Sequence, residues 1–218
     1  KAVEAGCDGI ELDVHLSKDG ELIVMHDEDI RRTTDGEGLI RNYTVKELKA
    51  FNAAKLFEGQ YDFVEIPTLR EYFTYVKDKN VTTNIEIKAD GFGDSVIEPK
   101  TIALIKEFEL EEKVYFSSFN HYTMVRCKEL APSIPCGLLC SSSLYRPARY
   151  VKETGADFWH PYFGTITREI ADEAKKYGVA INAWTVNTEE DMRRMLDWKI
   201  EGIITNHPDM LHKLQGAI

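Results

Sequence analysis

The chain has 218 residues, with a hydrophobic fraction of 43% and a charged fraction of 29%, the profile of one large globular domain. Its formal net charge of −10 argues against a nucleic-acid partner, which would need a basic stripe. No apolar run reaches the roughly 18 residues that a membrane-crossing helix needs.

Four cysteines, Cys7, Cys127, Cys136 and Cys140, lack metal-finger spacing. All four are expected to be buried thiols, which favours a reducing compartment and hence a cytoplasmic location. The chain opens on Lys-Ala-Val-Glu-Ala-Gly, which reads as the tail of a helix with Gly6 as its left-handed stop. It starts without Met, so an upstream piece is expected to be missing.

From Gly9 the residues alternate. Ile10, Leu12, Val14 and Leu16 share one face, and Glu11, Asp13, His15 and Ser17 share the other, the period of a strand. Asp19-Gly20 is the dipeptide preferred by a two-residue type I′ turn, and Leu22 to Met25 supplies the return strand. Such a turn sets Leu16 against Ile23, Val14 against Met25 and Asp13 against His26; a bulge would move the pairing by one residue. Strands disfavour Asp, so two inward acids on an otherwise apolar strand call for a cation or a partner.

Arg31 to Arg41 is polar and reads as a loop. Thr44-Val-Lys-Glu47 and Thr68-Leu-Arg-Glu71 are capping boxes that start short helices at about 45–51 and 69–78. Phe57 to Ile66 looks like a compact excursion. From Val81 a rhythm begins, with strands at 81–88, 114–119, 134–140, 157–162, 179–186 and 202–205 alternating with helices. The clearest helices run from Arg168 to Tyr177, between Thr167 and Gly178, and from Glu189 to Asp197 after Thr188. Strands and helices in this order make a parallel sheet. With Gly9–Leu16 the count is seven strands, and one more ahead of Lys1 would complete a (β/α)₈ barrel.

In such barrels the reactive groups sit at the carboxyl ends of strands. Asn84-Ile-Glu-Ile-Lys88 puts Asn84, Glu86 and Lys88 on one face. Glu11, Asp13 and Glu86, with no cysteine or paired histidine among them, form a hard-oxygen set suited to Mg²⁺ or Ca²⁺. Lys88 either neutralises that cluster or joins the metal in holding an anionic phosphate. His26 is the natural acid/base group. His15 shares the polar face, while His121, His160, His207 and His212 fall at helix starts or loops, where capping or solvent roles are expected. Trp184 is either core or a substrate wall. Neither a Gly-x-Ser-x-Gly elbow nor His-Glu-x-x-His occurs, which leaves serine hydrolases and zinc peptidases unsupported.

The segments Gly-Cys-Asp-Gly-Ile-Glu-Leu-Asp-Val (6–14), Lys-Asp-Gly-Glu-Leu-Ile-Val-Met-His-Asp (18–27), Asn-Ile-Glu-Ile-Lys (84–88), Ala-Trp-Thr-Val-Asn (183–187) and Gly-Ile-Ile-Thr-Asn-His-Pro (202–208) resemble the glycerophosphodiester phosphodiesterases in order and spacing. The resemblance covers nearly the whole chain. It implies a TIM barrel with a small insertion after the second strand, matching about 28–80. It implies Glu11, Asp13 and Glu86 as ligands of a divalent cation, Mg²⁺ or Ca²⁺. His26 would be one of two acid/base histidines, and Lys88 would contact phosphate. Family members begin with a strand ending in His-Arg-Gly, which this chain lacks. The expectation is therefore a single barrel domain without its first strand, inactive and marginally folded when made alone. The parent is expected to be a metal-dependent hydrolase of lipid metabolism, cutting small glycerophosphodiesters to glycerol 3-phosphate and an alcohol. A non-catalytic binding barrel and a related phospholipase are the alternatives.

Overall fold

The structure is a computed structural model describing residues 1–57, 59–88 and 96–216. Its strands are β1 (Gly9–Leu16), β2 (Leu22–Val24), β3 (Thr82–Ile87), β4 (Val114–Ser118), β5 (Cys136–Cys140), β6 (Phe158–Pro161), β7 (Ala180–Ala183) and β8 (Gly202–Ile203). The helices are α1 (Val45–Leu48), α2 (Leu69–Val76), α3 (Ile97–Glu107), α4 (His121–Leu130), α5 (Pro147–Thr154), α6 (Arg168–Tyr177), α7 (Glu189–Asp197) and α8 (Pro208–Gln215). The strands hydrogen-bond in the order β2-β1-β3-β4-β5-β6-β7-β8. From β4 onward the pairs are parallel with a helix between successive strands, and β2 is antiparallel to β1. This is the α/β pattern that the strand–helix rhythm predicts. Among the described residues no helix is long and apolar enough to cross a membrane.

The chain divides into two compact units. The first comprises Lys1–Glu11, Val81–Asn84 and Glu111–Ile218. Its strands are sealed by Phe116, Leu138, Trp159 and Ile181, all buried. Its helices begin and end where the caps predict. The Thr167 and Thr188 side chains accept from the amides of Ile170 and Asp191, and Gly178 stops α6 at φ 61°. Gly6 takes φ 82°, the left-handed conformation expected of it, but the residues before it form turns rather than a helix.

The second unit comprises Leu12–Asn80 and Ile85–Leu110. Its excursion has its own core of Ile23, Ile30, Ile40, Leu48 and Ile66, with Met25, Tyr43 and Phe51 packed against them. Both capping boxes form, at Thr44 with Glu47 and at Thr68 with Glu71. The polar loop at 31–41 contains two short 3₁₀ turns, Ile30–Arg32 and Ile40–Asn42.

Two further expectations are corrected. The hairpin pairs Leu16 with Leu22, His15 with Ile23 and Val14 with Val24, one residue away from the two-residue-turn register. The loop has three residues, Lys18-Asp19-Gly20, closed by Ser17 N–H to Glu21 O at 2.9 Å and Gly20 N–H to Ser17 O at 2.9 Å. Gly20 alone takes positive φ, 80°, which is the three-residue loop with a glycine bulge rather than type I′. The Asp19 carboxylate is drawn to Ser17 Oγ and to the amide of Val45, which holds Asp19 out of the turn that Asp-Gly alone favours. The four cysteines are free thiols, but only Cys127 and Cys136 are buried; Cys7 and Cys140 are half-buried.

Candidate active site

Strand β1 buries residues of either parity. Val14 is buried on one face, and Asp13 and His15 are 7% and 6% exposed on the other. Beside it, β3 buries Asn84 and Glu86, and the amide of Lys88 donates to Val14 O at 3.2 Å. That placement brings Lys88 Nζ to 2.8 Å from Asp13 Oδ1 and into an ion pair with Glu86 Oε1. Burial pushes the Glu86 carboxyl above the ordinary range, partly offset by Lys88, while Asp13 adds to the rise. Burial works against the Lys88 ammonium, but Glu86 and Asp13 outweigh it and hold the ammonium above the usual lysine range. One carboxylate oxygen from each of Glu11, Asp13 and Glu86 lies within 4.8 Å of the others, so the three predicted ligands do converge.

His26 does not face Asp13. The shifted register puts Met25 there, its amide donating to Asp13 O at 3.1 Å. The His26 ring is instead an exposed group whose Nδ1 donates to Asp27 Oδ1 at 2.7 Å. Asp27 is gripped by Arg32 through Nε to Oδ2 at 2.5 Å and Nη2 to Oδ1 at 3.0 Å. Arg32's hydrogen bonds, with a smaller contribution from His26, hold the Asp27 carboxyl far below the usual range. His15 is buried with its Nε2 donating to the His26 carbonyl at 3.3 Å, a structural bond. Arg32 escaped the sequence reading because it sits in a polar stretch, and an Arg five residues after an Asp matches no local rule.

Trp184 follows β7. Its Nε1 donates to His160 O at 2.7 Å, and its ring packs against Phe119 and Tyr162, with centroids 5.5 and 5.8 Å away. His160 is corrected: it lies within the predicted strand, in β6, but its ring is fully buried rather than capping a helix or facing solvent. Its Nε2 accepts from the Asn182 amide at 2.8 Å, and burial pulls its pKa down to about 3. Nearby Tyr115 is pushed up to about 12 by burial, with the Glu11 carboxylate adding to the rise. His121 opens α4 with its ring bonded to Tyr150 OH at 2.8 Å and Leu139 O at 2.9 Å, a tie to β5 and α5 rather than the capping or solvent role expected, the cap being Asn120.

The chain matches the glycerophosphoryl diester phosphodiesterase family over residues 1–210. A glycerophosphodiester phosphodiesterase of Caldanaerobacter subterraneus is 42% identical over 214 residues, covering 98% of this chain and 88% of that one. One from Bacillus altitudinis is 35% identical over 217 residues, covering 98% and 89%. Among solved structures, an Oleispira antarctica phosphodiesterase in complex with the product sn-glycerol-3-phosphate superposes with a TM-score of 0.86 at 26% identity, covering 98% of this chain and 87% of that one. With the carboxylate cluster at β1 and β3 and this similarity along nearly its whole length, the chain belongs to the glycerophosphoryl diester phosphodiesterase family.

Proposed function

We propose that this protein hydrolyses glycerophosphodiesters to sn-glycerol 3-phosphate and an alcohol, using a divalent cation held by Glu11, Asp13 and Glu86. The observation that carries the reading is the convergence of those three carboxylates within 4.8 Å beside the ammonium of Lys88. The donor set is all oxygen and anionic, and two of its members are buried, which fits a hard cation such as Mg²⁺ or Ca²⁺. A bound cation of that kind polarises phosphoryl oxygens.

The chain's own groups do the rest. Lys88 contacts the phosphate and takes up charge that develops on its oxygens. His26, with Nδ1 committed to Asp27, has Nε2 left to move a proton, either from the attacking hydroxyl or water or onto the leaving alcohol. Trp184 forms a wall for the substrate. The alternation of strands and helices supports reading the fold as a TIM barrel, in which such groups gather at the carboxyl ends of strands.

The test is hydrolysis of glycerophosphocholine by the intact protein with Mg²⁺ or Ca²⁺. Chelation should abolish it, and His26→Ala should lower turnover by about 10²–10⁴ while cation binding persists. Turnover that survives exhaustive chelation removes the carboxylate assignment. Cation binding without turnover points to a non-catalytic binding barrel.

A further inference from the structure

The ring of His26 is mostly exposed, its side chain 68% accessible, so packing does not fix its rotamer. What fixes it is a hydrogen-bonded chain. Asp27 Oδ1 accepts from both His26 Nδ1 and Arg32 Nη2, and Asp27 Oδ2 accepts from Arg32 Nε. The planar fork of a guanidinium sets the plane of the carboxylate it grips, which a single ammonium cannot do. Arg32 is itself fixed. It closes the 3₁₀ turn Ile30–Arg32, whose Ile30 is fully buried in the core of the excursion. The Asp29 side chain caps that turn at the Arg31 amide at 2.9 Å, and Lys55 Nζ donates to Arg31 O at 2.6 Å. Beside it, Arg31 pairs with Asp29 at 3.8 Å.

The geometry points to Arg32 as a positioning residue for His26, acting through Asp27. The guanidinium orients the Asp27 carboxylate, the carboxylate holds the imidazole by Nδ1–H, and the lone pair of Nε2 is thereby aimed outward. This rests on the reading of His26 as the acid/base group. A carboxylate that fixes the tautomer and orientation of a working imidazole is a familiar device. Here the carboxylate is the next residue along the chain, too short a tether to hold a direction unaided, and the arginine supplies the missing constraint.

The experiment has two readouts in the intact protein. Two-dimensional spectra of isotopically labelled histidine report the tautomer of the His26 ring independently of turnover. The parent should show His26 as the Nδ1–H tautomer alone; Arg32→Gln should show a mixture of tautomers. In the glycerophosphocholine assay Arg32→Gln should lower kcat about 10–100-fold with KM changed little, the size expected for an outer partner of a working group. Arg32→Lys, which keeps the charge but not the fork, should recover only part of that loss. Because exposed ion pairs contribute little to folding, the melting temperature should move by no more than about 2 °C. In a His26→Ala background Arg32→Gln should cost nothing more. An unchanged tautomer in Arg32→Gln overturns the proposal, as does an equal loss of kcat with and without His26. If His26→Ala itself keeps full turnover, the acid/base reading fails, while the tautomer measurement still decides whether Arg32 positions the ring.

Discussion

Gly137 on β5 and His160 on β6 compete for one volume: a Cβ at residue 137 would stand 2.4 Å from His160 Nε2. That nitrogen is also the acceptor for the Asn182 amide at 2.8 Å. Gly202 on β8 yields to Asn182 in the same way, since a Cβ there would lie 2.0 Å from its Oδ1. Two glycines thus make room for a buried polar pair.

Gly137→Ala should therefore cost more than an ordinary small-to-large change at a strand surface. The ring is fully buried and cannot swing into solvent. The expected loss is about 1–3 kcal/mol, the range for overpacking a dense core, measured by urea denaturation. An unchanged midpoint would mean that the imidazole has another place to go.

His160 also sets a pH dependence. Its pKa falls from the ordinary 6.5 to about 3 on folding because burial disfavours the charged ring. Above 6.5 the ring is neutral in both states. As the pH drops from there toward 3, the unfolded chain takes up a proton that the folded chain refuses, so stability falls. Between pH 7 and pH 5 the loss from this residue is about 2 kcal/mol. Comparing the parent with His160→Gln at both pH values isolates it, and a variant with the parent's full pH slope would show that the ring is not the cause.

Lys88→Met should destabilise the cation-free protein by about 3 kcal/mol, because it leaves Asp13 and Glu86 buried side by side without a counter-charge. Mg²⁺ or Ca²⁺ should recover part of that loss by binding only the folded form. Thermal melts with and without the cation measure both effects; a variant indifferent to added cation would mean that these acids do not hold one.

Thr68→Ala removes one half of a formed capping box, in which Thr68 Oγ1 accepts from the Glu71 amide at 3.2 Å and the Glu71 carboxylate accepts from the Thr68 amide at 2.8 Å. The expected cost is about 1 kcal/mol in a denaturant melt. Thr68→Ser keeps the hydroxyl that accepts from the Glu71 amide and should retain most of the stability.

What could be read in advance had local causes. The helices α6 and α7 match their predicted limits because Thr167, Gly178 and Thr188 act on the backbone within a turn of themselves. The convergence of Glu11, Asp13 and Glu86 followed from strand parity and from two strands lying side by side. The hairpin register slipped by one where Asp19 is committed both to Ser17 Oγ and to the amide of Val45, 26 residues away. The burial of His160 was missed for a similar reason. Phe-Trp-His-Pro does not announce a buried imidazole, and the space for it comes from glycines on other strands. Arg32 became visible only once a 3₁₀ turn folded it back onto Asp27.

The neighbour of His160 has an optical consequence. Trp159 is sealed, 1% exposed, while Trp184 and Trp198 are half-buried. An indole shut away from water emits at shorter wavelength than one that solvent can reach, so the folded protein should emit a bluer component from Trp159 over a redder one. Because Trp159 adjoins the ring whose protonation opposes folding, acidification should extinguish the blue component as the fold opens. The strand that hides His160 thus makes its own loss visible to a fluorimeter, with no label attached.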